Sequence, residues 1–584
     1  MQCIITIELG TNGVRVFAFE PGGRVIGSMK GYHPTFHTEP DYSEQDPEQI
    51  FLTTLYLLKN LLNEYIHPKK YKVACICFSA SMHSVLAVDK HGSPLGYAIT
   101  WADNRAKKES EELRRSALGK SLYAATGTPI HPMSPLLKIA WIRHRDKDRF
   151  RLTSKFLSIK SYIVHQLTGE YMMDYSIASA TGLLNIHTVA WEADALQYAG
   201  ITAAMLPGLA PVFTGAGQLK RAYQQSLGLP AETKILIGSS DGCLATLGDG
   251  IKGEGKATIT IEDSGAVRVM GPTVLKDEQM RFFNYLLTEG CYVSGGPTNN
   301  AGNIFEWFTR QFGDFTHPYD MDSSMQLLIE EASKVPAGSD GLLFLPYLLG
   351  ERAPIWNADA RGAYFGLNIK HERRHFIRAT IEGILYEIYS IGKSLGEQRD
   401  IRSLSVNGSF GTIPFWTQMI ADMFNRPVHV RQRSHSVSYG AYLLSATEMG
   451  IYKSLDEAAR TVELPDMYKP DKKRHAVYED YFAIFEKLSG KLSDEFKAIA
   501  GLQQKHSIPA DGMKGMPTGV VGRKGVGPVT RKGEGLVTRK GATGSRARKG
   551  GGPGGGKPVE PVTRKGAGAV TRKGIKAGAR KKLK

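Results

Sequence analysis

Four short stretches carry side chains able to handle a charged phosphoryl group. The first, IELGTNGVRVFAFE (residues 7–20), puts an acid, Glu8, ahead of a Gly10-Thr11-Asn12-Gly13 turn and returns Arg15 on the next run. A hairpin of this kind can wrap a phosphate with backbone N–H and hydroxyl donors, while the acid holds Mg²⁺ through water. The second, TITIEDSGAVRVM (258–270), alternates Thr258 and Thr260 with Ile259 and Ile261, as on a hairpin arm with one buried face. It turns through Glu262, Asp263, Ser264 and Gly265. The third, VNGSFG (406–411), offers Gly408 and Ser409 between a strand and a helix, a shape suited to phosphates. Between the first two lies IGSSDGCLATLG (237–248), where Asp241 follows an apolar run and can act as a general base. Each stretch alone also reads as an ordinary turn or helix cap. Their order along the chain, turn, acid, turn, turn, favours chemistry. The second turn carries a conflict, because the two carboxylates at its tip repel a phosphate.

Elements that could bring these stretches together recur twice. CIITIEL, VRVFAFE and VIGSMKGY read as three successive strands joined by tight turns. DPEQIFLTTLYLLKNLLNEYI reads as a helix capped by Asp46, with Pro47 in its first turn, and KVACICFSA as the next strand. The plan returns in KATITIED, AVRVM and a strand over NYLLTEGCYVSGG, followed by the helix NIFEWFTRQFG. A long amphipathic helix, FIRATIEGILYEIYSIGKSLG, then leads to the strand SLSVNGSF and the helix PFWTQMIADMF. Two copies of one α/β plan imply two α/β domains with a ligand between them. Their expected bounds are 1–248 and 249–500.

The chain of 584 residues is too long for one core, and its 42% hydrophobic content is that of a soluble globular protein. No apolar run reaches the ~18 residues of a membrane span. The opening MQCIITIELG lacks the basic stretch and cleavage site of a secretory signal. Five cysteines, Cys3, Cys75, Cys77, Cys243 and Cys291, give an odd count and no disulfide framework. Buried reduced thiols and a cytoplasmic location are expected.

The net charge of +17 is confined to one end. Residues 505–584 hold 21 Lys+Arg against 3 Asp+Glu, which leaves 53 against 54 in the rest. This segment repeats VTRKG four times, from Val529, Val537, Val562 and Val570, among Gly/Pro-rich text. With so few large apolar side chains, residues 501–584 are expected to be a disordered tail able to contact polyanions such as nucleic acid.

Further motifs carry a resemblance. PDYSEQDPEQIF, SASMHSVLAVDKHGSPLGYAITWADNRA, TGTPIHPMSPLLKIAWIRH, MDYSIASATGLLNIH, LPYLLGERAPIWNADARGAYFGL and FWTQMIADMFNRPV, within residues 4–450, resemble the FGGY family of carbohydrate kinases. Within that family the chain is most similar to gluconate kinases. The resemblance implies two RNase H-like domains of the actin/hexokinase-like superfamily, closing on an interdomain active site. It implies ATP-dependent, Mg²⁺-assisted phosphorylation of D-gluconate to 6-phospho-D-gluconate, and it admits a homodimer. Asp241 matches the catalytic base and, with Glu8, the metal site. Gly10, Thr11, Asn12, Arg15, Ser264, Gly265, Gly408 and Ser409 match the nucleotide side. Met82, His83, Trp101, Asp103 and Arg105 match the sugar pocket, where Arg105 could answer a carboxylate.

Three departures from the family pattern fall on the nucleotide side. Glu8 stands where the family has Asp, Glu262-Asp263 where it has Gly-Thr, and Ser409 where it has a second Gly. The competing expectations are a kinase for another sugar acid or polyol, xylulose- or glycerol-like, and a weak or inactive homologue that binds a sugar.

Overall fold

Strands β1 (Gln2–Gly10), β2 (Gly13–Phe19) and β3 (Val25–Tyr32) form an antiparallel meander, with Glu8 opposite Arg15 and Gly10 opposite Gly13. The computed structural model describes residues 1–39, 41–251, 255–313, 321–430, 435–462 and 466–506. β1 also pairs in parallel with β4 (Lys72–Ala80), and β4 with β5 (Lys234–Ser240), so the sheet runs β5-β4-β1-β2-β3. Helix α1 (Pro47–Leu61) joins β3 to β4. Asp46 accepts the backbone N–H of Glu48 and Gln49, two of the donors that a helix start leaves free. Its apolar face, including Ile50, Leu57, Leu58 and Leu61, enters the core beneath the sheet. β5 passes directly into α2 (Asp241–Gly248).

The plan recurs in the second half. β6 (Gly255–Ile261), β7 (Gly265–Gly271) and β9 (Cys291–Thr298) form a meander, with β8 (Phe283–Thr288) added antiparallel at the β9 edge. On its other side β6 pairs in parallel with β10 (Ile401–Asn407), and β10 with β11 (Val428–Val430). β12 (Asp466–Tyr468) closes the order β8-β9-β7-β6-β10-β11-β12. The expected strand over NYLLTEGCYVSGG is therefore two strands turning at Glu289-Gly290, a turn placed by Gly290 at φ +66°. The helices α3 (Gly302–Phe312), α4 (Arg373–Gly396) and α5 (Pro414–Phe424) fall where the periodicity puts them. α4 is not amphipathic in place. It is buried along nearly its whole length, and its interior Arg378 and Glu382 pair at 2.6 Å. β6 likewise has no solvent face at Thr258, which is fully buried.

The halves meet where α2 crosses α6 (Ser436–Glu448). A Cβ on Gly248 would stand 1.9 Å from the Ser436 carbonyl oxygen, and one on Gly440 2.0 Å from that of Leu244. Any larger residue at either site would force the two backbones apart. Beside the crossing, buried Asp249 accepts hydrogen bonds from Thr258 on β6 (2.8 Å), Asn407 on β10 and Ser436 on α6.

All five cysteines are free and buried. Residues 501–506, expected to open the tail, instead finish a helix over Ser493–His506. It is tied to the body by Arg361 donating to Gln503 at 2.8 Å. The expectations for the rest of the tail, disorder and polyanion contact, lie outside the described residues.

Candidate active site

Asp241 sits at the corner between β5 and α2. Gly238 makes the corner possible. Its φ is +65°, and a Cβ there would lie 1.8 Å from the Phe78 carbonyl oxygen. A buried polar chain backs it. Lys160 pairs with Asp174 at 2.6 Å and donates to the Ser239 carbonyl at 3.0 Å. Ser176, hydrogen-bonded to Asp174, accepts from the Ser239 hydroxyl and the Ser240 N–H. Asp241 itself accepts the Gly242 N–H at 2.6 Å. Burial pushes its carboxyl up to about 6. Arg268 and the Gly242 N–H pull the other way, and Glu8 adds to the rise. A carboxylate so placed is a stronger base than a solvated one and is still ionised at neutral pH.

The three turns come together. Asn12 donates to Asp263 across the cleft at 3.2 Å, and Ser409 donates to Glu262 at 2.7 Å. Ser264 and Gly265 complete the middle turn, where Gly265 pairs with Ile261. Gly408, at φ +91°, packs so closely on Ile261 that a Cβ would stand 2.3 Å from its carbonyl oxygen. Glu8 lies beneath them, with one oxygen on Arg15 and the other on Ser438 of α6, each at 3.0 Å. Burial raises its carboxyl above the usual range. Thr11 is braced twice, its carbonyl by Gln45 at 2.6 Å and its hydroxyl by the Trp101 ring N–H at 2.9 Å.

The sugar-side residues divide into two groups. Met82 lies beside the start of α2, and His83 is buried next to it in sequence. The Met82 methyl lies 3.1 Å from where a Cβ on Gly242 would stand. His83 adopts φ +66°, an uncommon conformation for a residue with a side chain. Its Nδ1 is 2.7 Å from the Ala180 carbonyl, which can only accept, so Nδ1 carries the proton and Nε2 accepts from Tyr285 at 3.1 Å. Burial holds His83 neutral, down to about 3. Trp101 lies under the Arg352 guanidinium at 4.8 Å. Asp103 and Arg105 are turned to each other instead. Arg105 donates twice to Asp103 and once to Glu44, each at 2.8 Å. It also stacks 3.7 Å from the Tyr42 ring centre, with its side chain only 3% exposed. A guanidinium holding two carboxylates is a brace, so the expected reach of Arg105 toward a substrate carboxylate finds no support here. The motif DYSEQD is explained by this brace: Ser43 N–H binds Asp103, Glu44 binds Arg105, Gln45 holds Thr11 and Asp46 caps α1.

Sequence reasoning missed Arg268, Tyr285, Lys138 and Arg352. Lys138 is fully buried, bonded to the carbonyls of His83 (2.7 Å) and Thr100 (2.6 Å), and burial lowers it to about 7. The signal for Arg268 was present, a charge between Val267 and Val269 on an apolar strand.

Two family models match the chain: the N-terminal domain of the FGGY family of carbohydrate kinases over residues 3–248 and the C-terminal domain over 257–449. The chain belongs to this family. It is 35% identical over 512 residues to a gluconokinase of Bacillus subtilis, covering 86% of this chain and 98% of that protein. Two Lactobacillus acidophilus structures are similar. A gluconate kinase has a TM-score of 0.80 at 29% identity, and a xylulose kinase has 0.81 at 30%. Each comparison covers 85% of this chain and 100% of the other. The two-lobed α/β fold is thus the actin/hexokinase-like fold of a carbohydrate kinase. Among the described residues, no helix is long and apolar enough to cross a membrane, and no group of three or more His, Cys, Asp or Glu could hold a metal ion.

Two predictions follow from the carboxylates of this site. Asp241 must be ionised to take a proton, so kcat/KM should fall as pH drops through about 6. Asp241→Asn should lower kcat by at least about a hundredfold. Its raised folded-state pKa also means that the ionised form costs stability above about 6 and not well below 4. Asp241→Asn should therefore raise Tm at pH 8 and leave it unchanged at pH 3. A variant within threefold of wild-type turnover, or without a Tm gain at pH 8, contradicts this reading. On the nucleotide side, Glu262→Gly with Asp263→Thr removes both acids and both cross-turn hydrogen bonds. Steady-state kinetics at several Mg²⁺ concentrations should show kcat/KM for ATP raised by about tenfold or more with KM for the sugar unchanged. An unchanged or lower value would mean that the acids are useful.

Proposed function

We propose that the protein transfers the γ-phosphoryl group of ATP to the terminal hydroxyl of D-gluconate, giving 6-phospho-D-gluconate in the cytoplasm. The observation that carries the substrate choice is the charge of the cleft. Arg268 stands beside Asp241 and Arg352 stands near Arg268, burial has left His83 neutral, and Arg105 is already paired. An anionic sugar suits the guanidinium groups of Arg268 and Arg352, whose buried Nε atoms lack a hydrogen-bond partner, better than a neutral one. The similarity to a Bacillus subtilis gluconokinase supports the same choice.

Asp241 accepts the proton of the attacking hydroxyl, and its desolvation makes that transfer easier at neutral pH. Met82 and the ring of Trp101 shape the apolar walls beside it. The Gly10–Gly13, Glu262–Gly265 and Gly408–Ser409 turns hold the nucleotide phosphates, with Arg15 placed by its pairing to Glu8. The donor set fits Mg²⁺ only as an ion that keeps most of its water, since both oxygens of Glu8 are engaged and Asp241 offers one further carboxylate. When bound, ATP and Mg²⁺ supply the phosphoryl group and spread its charge.

A second reading has a specific observation behind it. Glu262 and Asp263 occupy the phosphate turn and bind Ser409 and Asn12, which favours slow use of ATP. One carboxylate ~4 Å from a phosphate charge costs about 4 kcal/mol at an effective dielectric of ~20. A coupled ADP-release assay with gluconate, xylulose and glycerol, with product position read by NMR, tests the proposal. Gluconate should exceed the neutral substrates by at least about tenfold in kcat/KM, with phosphate on its terminal oxygen. Preference for xylulose or glycerol would overturn it, and gluconate binding without turnover would leave the second reading.

A further inference from the structure

Two arginines face the cleft from the second lobe. Arg268 projects from β7 toward the start of α2. Its Nη1 donates to Thr260 at 3.0 Å, and its Nε lies 3.2 Å from where a Cβ on Gly242 would stand. Arg352 follows β9 in space. Its Nη2 donates to the Thr298 carbonyl at 2.8 Å, and its guanidinium lies over Trp101, which comes from the first lobe. The Nε of each arginine is buried with no hydrogen-bond partner. A buried charge with an unmatched donor is costly, and an anion placed against it relieves that cost.

The neighbouring groups leave this demand unmet. The Glu351 carboxylate, next to Arg352 in sequence, is engaged by the Thr298 hydroxyl, the Asn300 amide and the N–H groups of Asn299 and Arg352. Tyr285 gives its proton to His83. His83 and His131 are both kept neutral by burial and carry no negative charge. Of the two acids at the ends of α2 that act on Arg268, Asp249 is already engaged by Thr258, Asn407 and Ser436, and Asp241 is reserved for the reacting hydroxyl. Planar guanidinium groups with free N–H donors match a carboxylate in geometry as well as charge.

We infer that Arg268 and Arg352 together form the subsite for the carboxylate of the sugar acid, and so set the preference for acids over neutral polyols. The inference rests on the proposed gluconate kinase activity and names the residues that select its substrate. Cation and base then hold opposite ends of one extended substrate. The acid group is fixed on the second lobe and the terminal hydroxyl is turned to Asp241, which would make bound substrate itself a link between the lobes.

The test uses the full chain without nucleotide. Calorimetry measures binding of D-gluconate and of D-glucitol, which has the same carbon chain with CH₂OH in place of the acid, to wild type, Arg268→Met and Arg352→Met. Each variant should lose at least about tenfold in gluconate affinity, the low end for a hydrogen-bonded charge. D-Glucitol affinity should stay within threefold across the three proteins. Circular dichroism verifies folding, and if Arg352→Met does not fold, Arg268→Met decides alone. Gluconate binding within threefold of wild type in folded variants overturns the inference, as does an equal loss for both ligands, which would mark the arginines as supports of Asp241 or of cleft shape. Wild-type turnover of gluconate with undiminished binding to the variants removes this subsite alone. A wild-type protein that neither binds nor phosphorylates gluconate removes the proposed function with it.

Discussion

The close crossing of α2 on α6, locked by Asp249, is the constraint on which the rest of the site depends. Two backbones in contact at Gly248 and Gly440 leave no room for side chains, so the relative position of the helices is fixed by the chain itself. Asp249 ends α2 and binds β6, β10 and α6 together. Asp241 begins the same helix. Asp241 is therefore mounted on an element whose far end is fastened to the second sheet, and the turns that follow β6 and β10 are positioned from that fastening. Glu8 adds a second tie by reaching Ser438 on α6 from the end of β1.

Electrostatics follow from this placement. Joining two lobes over a cleft removes charged groups from water, and each then depends on its partners. Lys160 with Asp174, Arg105 with Asp103 and Glu44, and Arg378 with Glu382 are matched within the protein. Arg268 and Arg352 are not matched in the same way, since the Nε of each is buried without a hydrogen-bond partner. Incomplete pairing is tolerable at a site that binds a charged ligand, and it is the physical difference between the braces and the residues proposed to meet substrate.

Much of the fold could be read from the chain. Short apolar runs between tight turns gave β1 and β2, an apolar run gave β4, alternation gave β6, and Asp46 with Pro47 marked the start of α1. Local patterns failed where burial on two sides overrode them, as in α4, whose polar residues pair inside the protein, and at Thr258, which points to Asp249 instead of solvent. The hairpin β8–β9 was hidden because an apolar run across a short turn looks like one strand. That the three turns come together was legible from their order along the chain. Arg105 misled because a cation in a sugar-pocket motif says nothing about which acids lie beside it in space. Arg268 and Arg352 were passed over for the complementary reason. Their partners, or the lack of them, come from segments far apart in sequence.

The central claim is that the cleft holds a sugar acid with its terminal hydroxyl on Asp241 and its carboxylate on the second lobe. The structure of the protein with D-gluconate and a non-hydrolysable ATP analogue tests this most directly. The terminal hydroxyl oxygen should lie about 2.6–3.2 Å from an Asp241 oxygen, with the carboxylate against Arg268 and Arg352. The Asn12–Asp263 and Ser409–Glu262 hydrogen bonds should be open where phosphates enter. A substrate bound the other way round, with its carboxylate toward Asp241, or a nucleotide seated with both hydrogen bonds intact, would contradict it.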